Sequence, residues 1–121
     1  MWRGFYALKS LRSGETFDFQ KMNMDALLLI GALVHVPYER FLLIFSRILR
    51  ALKPQGHVLL TMKQGQGTQN RPDGRIFHLW SKADLMSVFE DSSLKCVEYF
   101  EQQSKIRTSD IWMSFVLQLQ G

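Results

Sequence analysis

The sequence predicts an α/β fold built around a mostly parallel sheet, and three observations favour it. Ala26–Val36 is continuously apolar rather than alternating, as expected of a strand covered on both faces. An amphipathic segment follows this run, and the short β-rich segment His57–Lys63 comes next. Strand, helix and strand in this order are typical of a right-handed crossover between parallel strands. We therefore expect the two strands to lie side by side in one sheet.

The segment after Pro37 predicts a helix with one buried face, because its apolar residues recur at three- and four-residue intervals. Those apolar residues are Phe41, Ile44, Phe45, Ile48, Leu49 and Leu52. Lys53 and Pro54 are expected to end the helix, since proline lacks an N–H donor and clashes with the preceding turn. Gly56 then supplies a turn that returns the chain to the sheet.

The second half of the chain predicts a loop, a helix and two strands. Gln64–Gly74 contains three glycines among polar residues, and this composition indicates a flexible loop. Ser81, with Asp84 three residues later, predicts the N-cap of a second helix. The apolar face of that helix would consist of Leu85, Val88 and Phe89. Lys95–Gln102 and Ile111–Gln120 are β-rich, and their short connection favours an antiparallel final pair.

The amino-terminal residues, Met1–Met24, do not predict one structure. Phe5–Leu11 is compatible with a helical turn or two, and Phe17–Phe19 with an extended piece. Met1–Gly14 lacks a continuous apolar core followed by small residues, so no secretion signal is predicted.

Composition favours one compact domain. The 121 residues are 46% hydrophobic and 12% aromatic, which argues for a packed core and against a disordered chain. The net charge is +4, but the 15 Lys and Arg form no run that could track a phosphate backbone, so nucleic acid is a weak inference. Cys96 is the only cysteine, which excludes an internal disulfide and fits a reducing, cytoplasmic location.

Several functional classes lack their motifs in this sequence. One cysteine and three widely spaced histidines do not supply the ligand spacing of a zinc site, so we expect no metal. The patterns GxSxG, GxxxxGK(S/T) and HExxH do not occur. The longest apolar run, Ala26–Val36, is roughly half of what spans a bilayer, so no membrane helix is expected.

Three segments, taken in order, resemble class I S-adenosylmethionine (SAM)-dependent methyltransferases, in particular small ones related to the tellurite-resistance type. DALLLIGALVHVP, from Asp25 to Pro37, is similar to that family's fourth strand and its exit. ALKPQG, from Ala51 to Gly56, resembles the family's ALKPGG turn, with Gln55 in place of the usual glycine. KQGQG with the following GRIFHLWSKADLMSVF, and the final IWMSFVLQL, resemble the family's closing passages.

The resemblance implies that residues 1–121 form a single domain, the carboxyl-terminal half of a three-layer, Rossmann-like methyltransferase fold. The family's glycine-rich loop after the first strand has no counterpart here, and neither has the acidic residue that ends the second strand. The resemblance therefore implies a truncated methyltransferase that acts on a small molecule when it is complete. For this chain alone we expect weak SAM binding or none.

The resemblance also implies residues that would bind the cofactor. Ile30, Gly31 and Ala32 would line the methionine end of SAM, with small side chains because backbone and ligand must approach closely. Asp18 and Phe19 resemble the acidic and aromatic pair that cradles the adenine in the family. The alternative for this pair is a solvated turn.

Four polar residues are candidates for contact with the substrate. His35, at the exit of the apolar strand, would act as a general base or contact the acceptor, because imidazole titrates near neutrality. The alternative is a structural histidine that caps the strand exit. Lys63, Arg75 and His78 bracket the glycine-bearing loop and would form a polar rim facing the substrate, or else belong to a solvated loop.

A second hypothesis is a non-catalytic module that associates through its sheet. If Ala26–Val36 lacks the neighbouring first strand, an apolar strand is left with unpaired backbone. We expect a homodimer, another subunit or the first two dozen residues of the chain to cover that edge. A third hypothesis, a basic nucleic-acid binder, depends only on the positive charge.

Overall fold

The computed structural model describes residues 4–7, 22–106 and 109–120. Its elements are β1 Phe5–Ala7, β2 Met24–Ile30, α1 Tyr38–Leu49, β3 Leu52–Lys63, β4 Thr68–Asn70, β5 Ile76–His78, α2 Lys82–Asp91, β6 Leu94–Gln103 and β7 Ile111–Leu119. Five strands form one sheet in the order β1-β2-β3-β7-β6, and β4 and β5 form a separate pair. β1, β2 and β3 are parallel, whereas β7 is antiparallel to both β3 and β6. The predicted α/β class is confirmed.

The predicted crossover is confirmed, but its first strand is shorter than expected. Leu27 lies opposite Val58 in the parallel pair of β2 and β3, and α1 connects the two strands. β2 ends at Ile30, and residues 31–36 form a turn rather than more strand. Gly31 has φ +64°, which ends the extended conformation, yet Ala32, Leu33, Val34 and Val36 stay buried. The continuous apolar run therefore indicates burial, and only its first part, up to Ile30, forms a strand.

The core lies between the sheet and two helices on one of its faces. The Phe45 ring of α1 is 6.2 Å from the Phe89 ring of α2, and Phe89 is 4.9 Å from Phe115 on β7. Alternate residues of β3 and β7 complete this core: Val58, Leu60, Met62, Met113, Phe115 and Leu117. Within the described residues, α1 and α2 form one helical layer on this face of the sheet. The second helical layer of the expected three-layer arrangement is not among these residues.

The ends of the two helices show which local sequence signals were sufficient to predict a helix boundary. Ser81 caps α2 as predicted, because its Oγ accepts the Asp84 N–H at 3.1 Å. α1 ends at Leu49, earlier than the expected stop at Lys53 and Pro54, which both lie in β3. The turn between them closes when the Ala51 N–H donates to the Ile48 carbonyl.

β1 was not predicted as a strand, since Phe5–Leu11 suggested a helical turn. Residues 5–7 instead pair in parallel with Ala26–Leu28. The chain's own amino-terminal residues thus cover the first part of the edge that sequence patterns left open. Residues 8–11 and Phe17–Phe19 lie outside the described residues. The homodimer and the contact with another subunit stay predictions.

The segment Gln64–Gly74, expected to be a flexible loop, contains β4 and the turn of an ordered hairpin. β4 and β5 pair with Gln69 opposite Phe77. In the turn between them, the Gly74 N–H donates to the Arg71 carbonyl at 3.0 Å, and Gly74 has φ +90°. Glycine and polar residues here indicate a tight turn, whose neighbouring strands depend on contacts with the rest of the fold.

Candidate functional site

The candidate site lies where β2 and β3 end, because ligands of open α/β sheets bind at the carboxyl ends of the parallel strands. Ile30, the last residue of β2, has 58% of its surface exposed. Gly31 follows it, and its N–H donates to the Thr61 hydroxyl on β3 at 2.6 Å. The side chain of Thr61 therefore holds the backbone turn that leaves the sheet.

Gly31 is required at this turn by its backbone conformation. Its φ of +64° is one that residues with a Cβ rarely adopt. A Cβ placed there would meet Trp112 Cζ3 only at 4.0 Å, an ordinary contact, so crowding does not explain the glycine. Gly31 is partly exposed, whereas Ala32 is fully buried and its side chain belongs to the core.

His35 joins the turn to the β4–β5 hairpin. Its Nδ1 lies 2.6 Å from the Ile76 carbonyl, and its ring packs against Phe77 with centroids 4.6 Å apart. A carbonyl can only accept, so Nδ1 carries the proton of this bond, and the neutral ring keeps Nε2 as an acceptor. The His78 N–H also donates to the Val34 carbonyl, at 2.9 Å. His35 thus makes a structural contact and presents a nitrogen that can take a proton.

Tyr38, the first residue of α1, fastens the segment between β3 and α2. Its hydroxyl lies 2.6 Å from the Gly67 carbonyl and 2.5 Å from the Leu79 carbonyl, and its single proton can serve one at a time. Burial raises the pKa of Tyr38, so the hydroxyl stays a donor near neutral pH. A cavity of about 270 Å³ beside Tyr38 is lined by residues of this segment, such as Gly65 and Trp80, and by none of the expected site residues.

Lys63 does not lie on an exposed rim, contrary to the expectation from sequence. It ends β3 with 3% of its surface exposed. Its Nζ is 2.8 Å from Asp110 Oδ2, 2.7 Å from Gln69 Oε1 and 4.5 Å from the centroid of the Phe77 ring. Lys63 therefore ties the end of β3 to the hairpin and to the start of β7.

Asp110 is the carboxylate at the centre of this contact. The same Oδ2 atom accepts from Arg71 Nη2 at 2.9 Å. Burial by itself would raise the Asp110 pKa, but the hydrogen bonds and charges of Lys63 and Arg71 outweigh it and lower that pKa. The carboxylate is therefore ionised at neutral pH and binds two cations through one oxygen.

The other expected rim residues differ in exposure. Arg75 is exposed, and its Nε donates to Asp73 Oδ2 at 2.7 Å. His78 is half-buried against Tyr38, with ring centroids 5.3 Å apart in an edge-on arrangement. The contact of Arg75 with a substrate stays a prediction, whereas His78 contributes to packing. Asp18 and Phe19, the expected adenine pair, lie outside the described residues.

Sequence reasoning missed four residues that complete the site: Thr61, Arg71, Asp110 and Trp112. Arg71 carried a usable signal, because RPDGR, from Arg71 to Arg75, indicates a tight turn with a basic residue at each end. Asp110 and Trp112 carried none, since they meet Lys63 only after β7 pairs with β3. Within residues 4–7, 22–106 and 109–120, no group of three His, Cys, Asp or Glu is placed to hold a metal ion.

Comparison with known proteins gives matches by structure only. No protein-family model matches the chain, and no curated protein matches it. A 1,6-didemethyltoxoflavin-N1-methyltransferase from Burkholderia thailandensis, with bound 1,6-didemethyltoxoflavin and S-adenosylhomocysteine, superposes with a TM-score of 0.71 and 13% identity over 85% of this chain. A SAM-dependent methyltransferase from Methanosarcina mazei gives 0.66 and 15% over 87%. The chain has the fold of SAM-dependent methyltransferases.

The same comparisons limit what the fold implies. The chain spans 48% of the Burkholderia enzyme and 63% of the Methanosarcina enzyme, so it matches about half to three fifths of their lengths. A further similar structure is the cyclase SpnF, with a TM-score of 0.62, 12% identity, and coverage of 88% of this chain and 55% of that one. One fold thus serves more than one reaction, and the function has to be argued from the site.

The turn after β2 combines a partly exposed glycine with apolar and aromatic neighbours. Ile30 offers an exposed apolar side chain at the same edge as Gly31. Trp112 adds an aromatic ring next to Gly31, which suits a sulfonium cation. None of the helices in the described residues is long and apolar enough to cross a membrane.

Proposed function

We propose that this chain is part of a SAM-dependent methyltransferase that acts on a small molecule. The observation that carries the proposal is the Gly31 turn, a partly exposed glycine turn at the carboxyl edge of a sheet with the methyltransferase strand arrangement. The likeness to a Burkholderia enzyme that holds S-adenosylhomocysteine and a small acceptor supports both the cofactor and the class of substrate.

In this mechanism the chain positions the reactants. SAM, when bound, supplies a methyl group on a sulfonium that a nucleophile can attack in line. The turn held by Thr61 would orient the methionine end of the cofactor through the Gly31 backbone. His35 Nε2 would take the proton of the acceptor, because Nδ1 is already engaged with Ile76 and keeps the ring in place. Lys63 would act indirectly, because its contacts fix the position of the end of β3.

Cofactor binding tests this proposal directly. We expect S-adenosylhomocysteine, titrated into the whole chain, to shift the amide NMR signals of Ile30, Gly31 and Ala32 with weak affinity. Gly31→Ala should abolish these shifts, because its φ is strained for alanine. Gly67→Ala is the matched control, since Gly67 has a φ of +74° and open space but lies away from this turn. If saturating ligand moves no amide near Gly31, the assignment of the cofactor to this turn is wrong.

The role of His35 needs a variant that keeps its structural bond. Asparagine can replace the Nδ1 donor to Ile76 but has no basic nitrogen. We expect His35→Asn to fold with the normal unfolding midpoint and, in the complete enzyme of which this chain is proposed to be part, to lose methyl transfer from labelled SAM to small-molecule acceptors. Full transfer activity in His35→Asn would assign His35 to structure alone.

Assembly and location are separate proposals. We retain the homodimer because the edge of β2 extends beyond the three residues paired with β1, and Ile30 at its end is exposed. Sedimentation equilibrium of the chain would test it, and a monomer at all concentrations would exclude it. The cytoplasmic location is retained on the single cysteine.

A further inference from the structure

The ring of Phe77, on β5, is surrounded by cationic side chains. Lys63 Nζ lies 4.5 Å from the ring centroid, and the guanidinium carbons of Arg71 and Arg75 lie 5.6 and 5.5 Å from it. Asp73 and Asp110 are their acidic partners. We call these six residues the Phe77 cluster: Lys63, Arg71, Asp73, Arg75, Phe77 and Asp110.

Positive charge exceeds negative charge in this cluster. Three cations face two carboxylates, and Asp73 serves only the exposed Arg75. The two less exposed cations, Lys63 and Arg71, share a single oxygen of Asp110. Holding an uncompensated cation away from water is costly, so an excess of this kind is stabilised when an anion binds.

The hairpin holds the two arginines ready for such an anion. Arg71 and Arg75 face each other across the tight turn, where the Arg71 N–H donates to the Arg75 carbonyl at 2.8 Å. Asp73 accepts from both the backbone N–H and the Nε of Arg75. Arg71 uses Nη2 for Asp110, and within the part of the chain that the structure describes Nε and Nη1 have no protein partner. A guanidinium with free N–H groups can bind an oxyanion through two parallel bonds.

The cluster borders the candidate site through two contacts. The ring of Phe77 packs on His35, and Lys63 Nζ lies 5.9 Å from the Trp112 ring, which in turn borders Gly31. An anion at the cluster would therefore sit beside His35 and next to the turn assigned to the cofactor. The partly exposed Trp112 ring accompanies the charge, which suits an anion attached to a planar apolar group.

We propose that the Phe77 cluster binds an oxyanion, a carboxylate or a phosphate, carried by the methyl acceptor. The oxyanion would be bound chiefly by Arg71, with Arg75 beside it. That the oxyanion belongs to a methyl acceptor rests on the proposed function, whereas its binding does not. The substrate class that follows is an acidic small molecule rather than a neutral one.

Three probes distinguish binding of a carboxylate, binding of a phosphate and binding of an uncharged ring. Benzoate carries a carboxylate on a planar ring, benzamide has nearly the same shape without charge, and inorganic phosphate supplies the other oxyanion. At constant ionic strength, we expect benzoate or phosphate, but not benzamide, to shift the side-chain NMR signals of Arg71, Arg75 and Trp112. Tighter binding of benzoate assigns a carboxylate, and tighter binding of phosphate assigns a phosphate. Equal shifts with benzamide and benzoate would overturn the proposal.

Charge-matched variants separate a local site from general attraction to a basic protein. Arg71→Gln should weaken binding of the preferred anion by about tenfold, as expected for the loss of a charge-assisted pair of hydrogen bonds. Arg75→Gln, at an exposed position, should weaken it by about threefold. Arg47→Gln removes the same charge from the exposed surface of α1 and should have no effect. Equal weakening in all three variants would also overturn the proposal.

The two proposals can fail separately. Anion binding without any effect of S-adenosylhomocysteine at Gly31 would leave an oxyanion site and remove the cofactor contact on which the proposed function rests. The opposite result, cofactor shifts at Gly31 with no anion binding, would leave the methyltransferase and remove the acidic acceptor.

Discussion

The two edges of the β2–β3 pair, at the amino and carboxyl ends of the strands, contain similar residues but differ in the balance of positive and negative charge. At the amino edge, Lys53 Nζ lies 3.4 Å from Asp25 Oδ1, and about a fifth of each side chain is exposed. At the carboxyl edge, Lys63 lies 2.8 Å from Asp110 and both are buried. Each edge thus has a lysine of β3 paired with an aspartate. Solvent screens the first pair, whereas the second shares its carboxylate with Arg71.

The two edges also differ in the residue that takes a positive φ. At the carboxyl edge it is Gly31, with φ +64°, and at the amino edge it is Gln55, with φ +68°. Gln55 stands where the resembling family has glycine, and its side chain is exposed. The comparison teaches that the chain tolerates a strained residue where the side chain is exposed. It keeps glycine and excess charge together at the edge proposed to bind ligands.

Breaking the buried pair should have the largest effect. Asp110→Asn keeps the shape but leaves Lys63 and Arg71 without their counter-charge, and we expect a loss of about 3 kcal/mol in the free energy of unfolding. Urea denaturation followed by circular dichroism measures it. Asp73→Asn is the control, because its ion pair is exposed and should leave stability unchanged. Equal stability of Asp110→Asn and the unaltered protein would contradict the assigned role of Asp110.

Acid should remove the same contribution without a substitution. The Asp110 pKa is lower in the folded chain than its ordinary value of 3.8, so the unfolded state binds the proton more readily. The contribution is therefore complete above 3.8 and is lost as the pH falls through the lower folded value. The urea midpoint of the unaltered protein should fall over this acid range. Asp110→Asn should lack this part of the decline, and identical pH profiles would exclude Asp110 as its source.

Breaking the amino-edge pair should cost less. Asp25 pairs with Lys53 and also accepts the Gly4 N–H at 3.2 Å, so it links β1 to β3. We expect Asp25→Asn to lower the free energy of unfolding by about 1 kcal/mol, because the ion pair is partly solvated. Faster hydrogen exchange at the amides of Ala26 and Leu28, next to β1, would accompany the loss. A cost as large as that of Asp110→Asn would remove the distinction between the two edges.

Relieving the strained turn should give the smallest effect, with the opposite sign. Gln55→Gly replaces a residue at φ +68° by one that adopts this conformation freely, so we expect a gain of about 0.5 kcal/mol. Gln102→Gly is the matched control, because Gln102 is an exposed residue of β6 and glycine weakens a strand. Thermal melts of both variants measure the difference. Destabilisation by Gln55→Gly would show that its side chain matters more than its backbone.

Much of the fold could be predicted from the sequence because its signals are local. Ser81 and Asp84 lie three residues apart, and their cap forms as predicted. The spacing of Phe41, Ile44 and Phe45 predicted the buried face of α1. Parallel pairing of β2 with β3 followed from two apolar segments around a helix. β1 escaped prediction, because three residues carry too little pattern to distinguish a strand from a helical turn.

The candidate site could be predicted only in part, because its contacts join distant residues. His35 was named from its place at a strand exit, but its partner Ile76 is 41 residues away. Lys63 was expected to face solvent, since nothing local reveals that Asp110 will lie beside it once β7 pairs with β3. The Trp112 ring beside Gly31 depends on the same pairing.

The sequence by itself determined which segments are buried, where α2 begins and that β2 and β3 run in parallel, because periodicity and capping depend on neighbours along the chain. The tertiary structure alone decided that the apolar run turns at Gly31, that residues 5–7 cover part of its edge and that three cations gather around Phe77. Those features depend on which distant segments meet when the sheet forms. A change of one residue in strand register would place different side chains together.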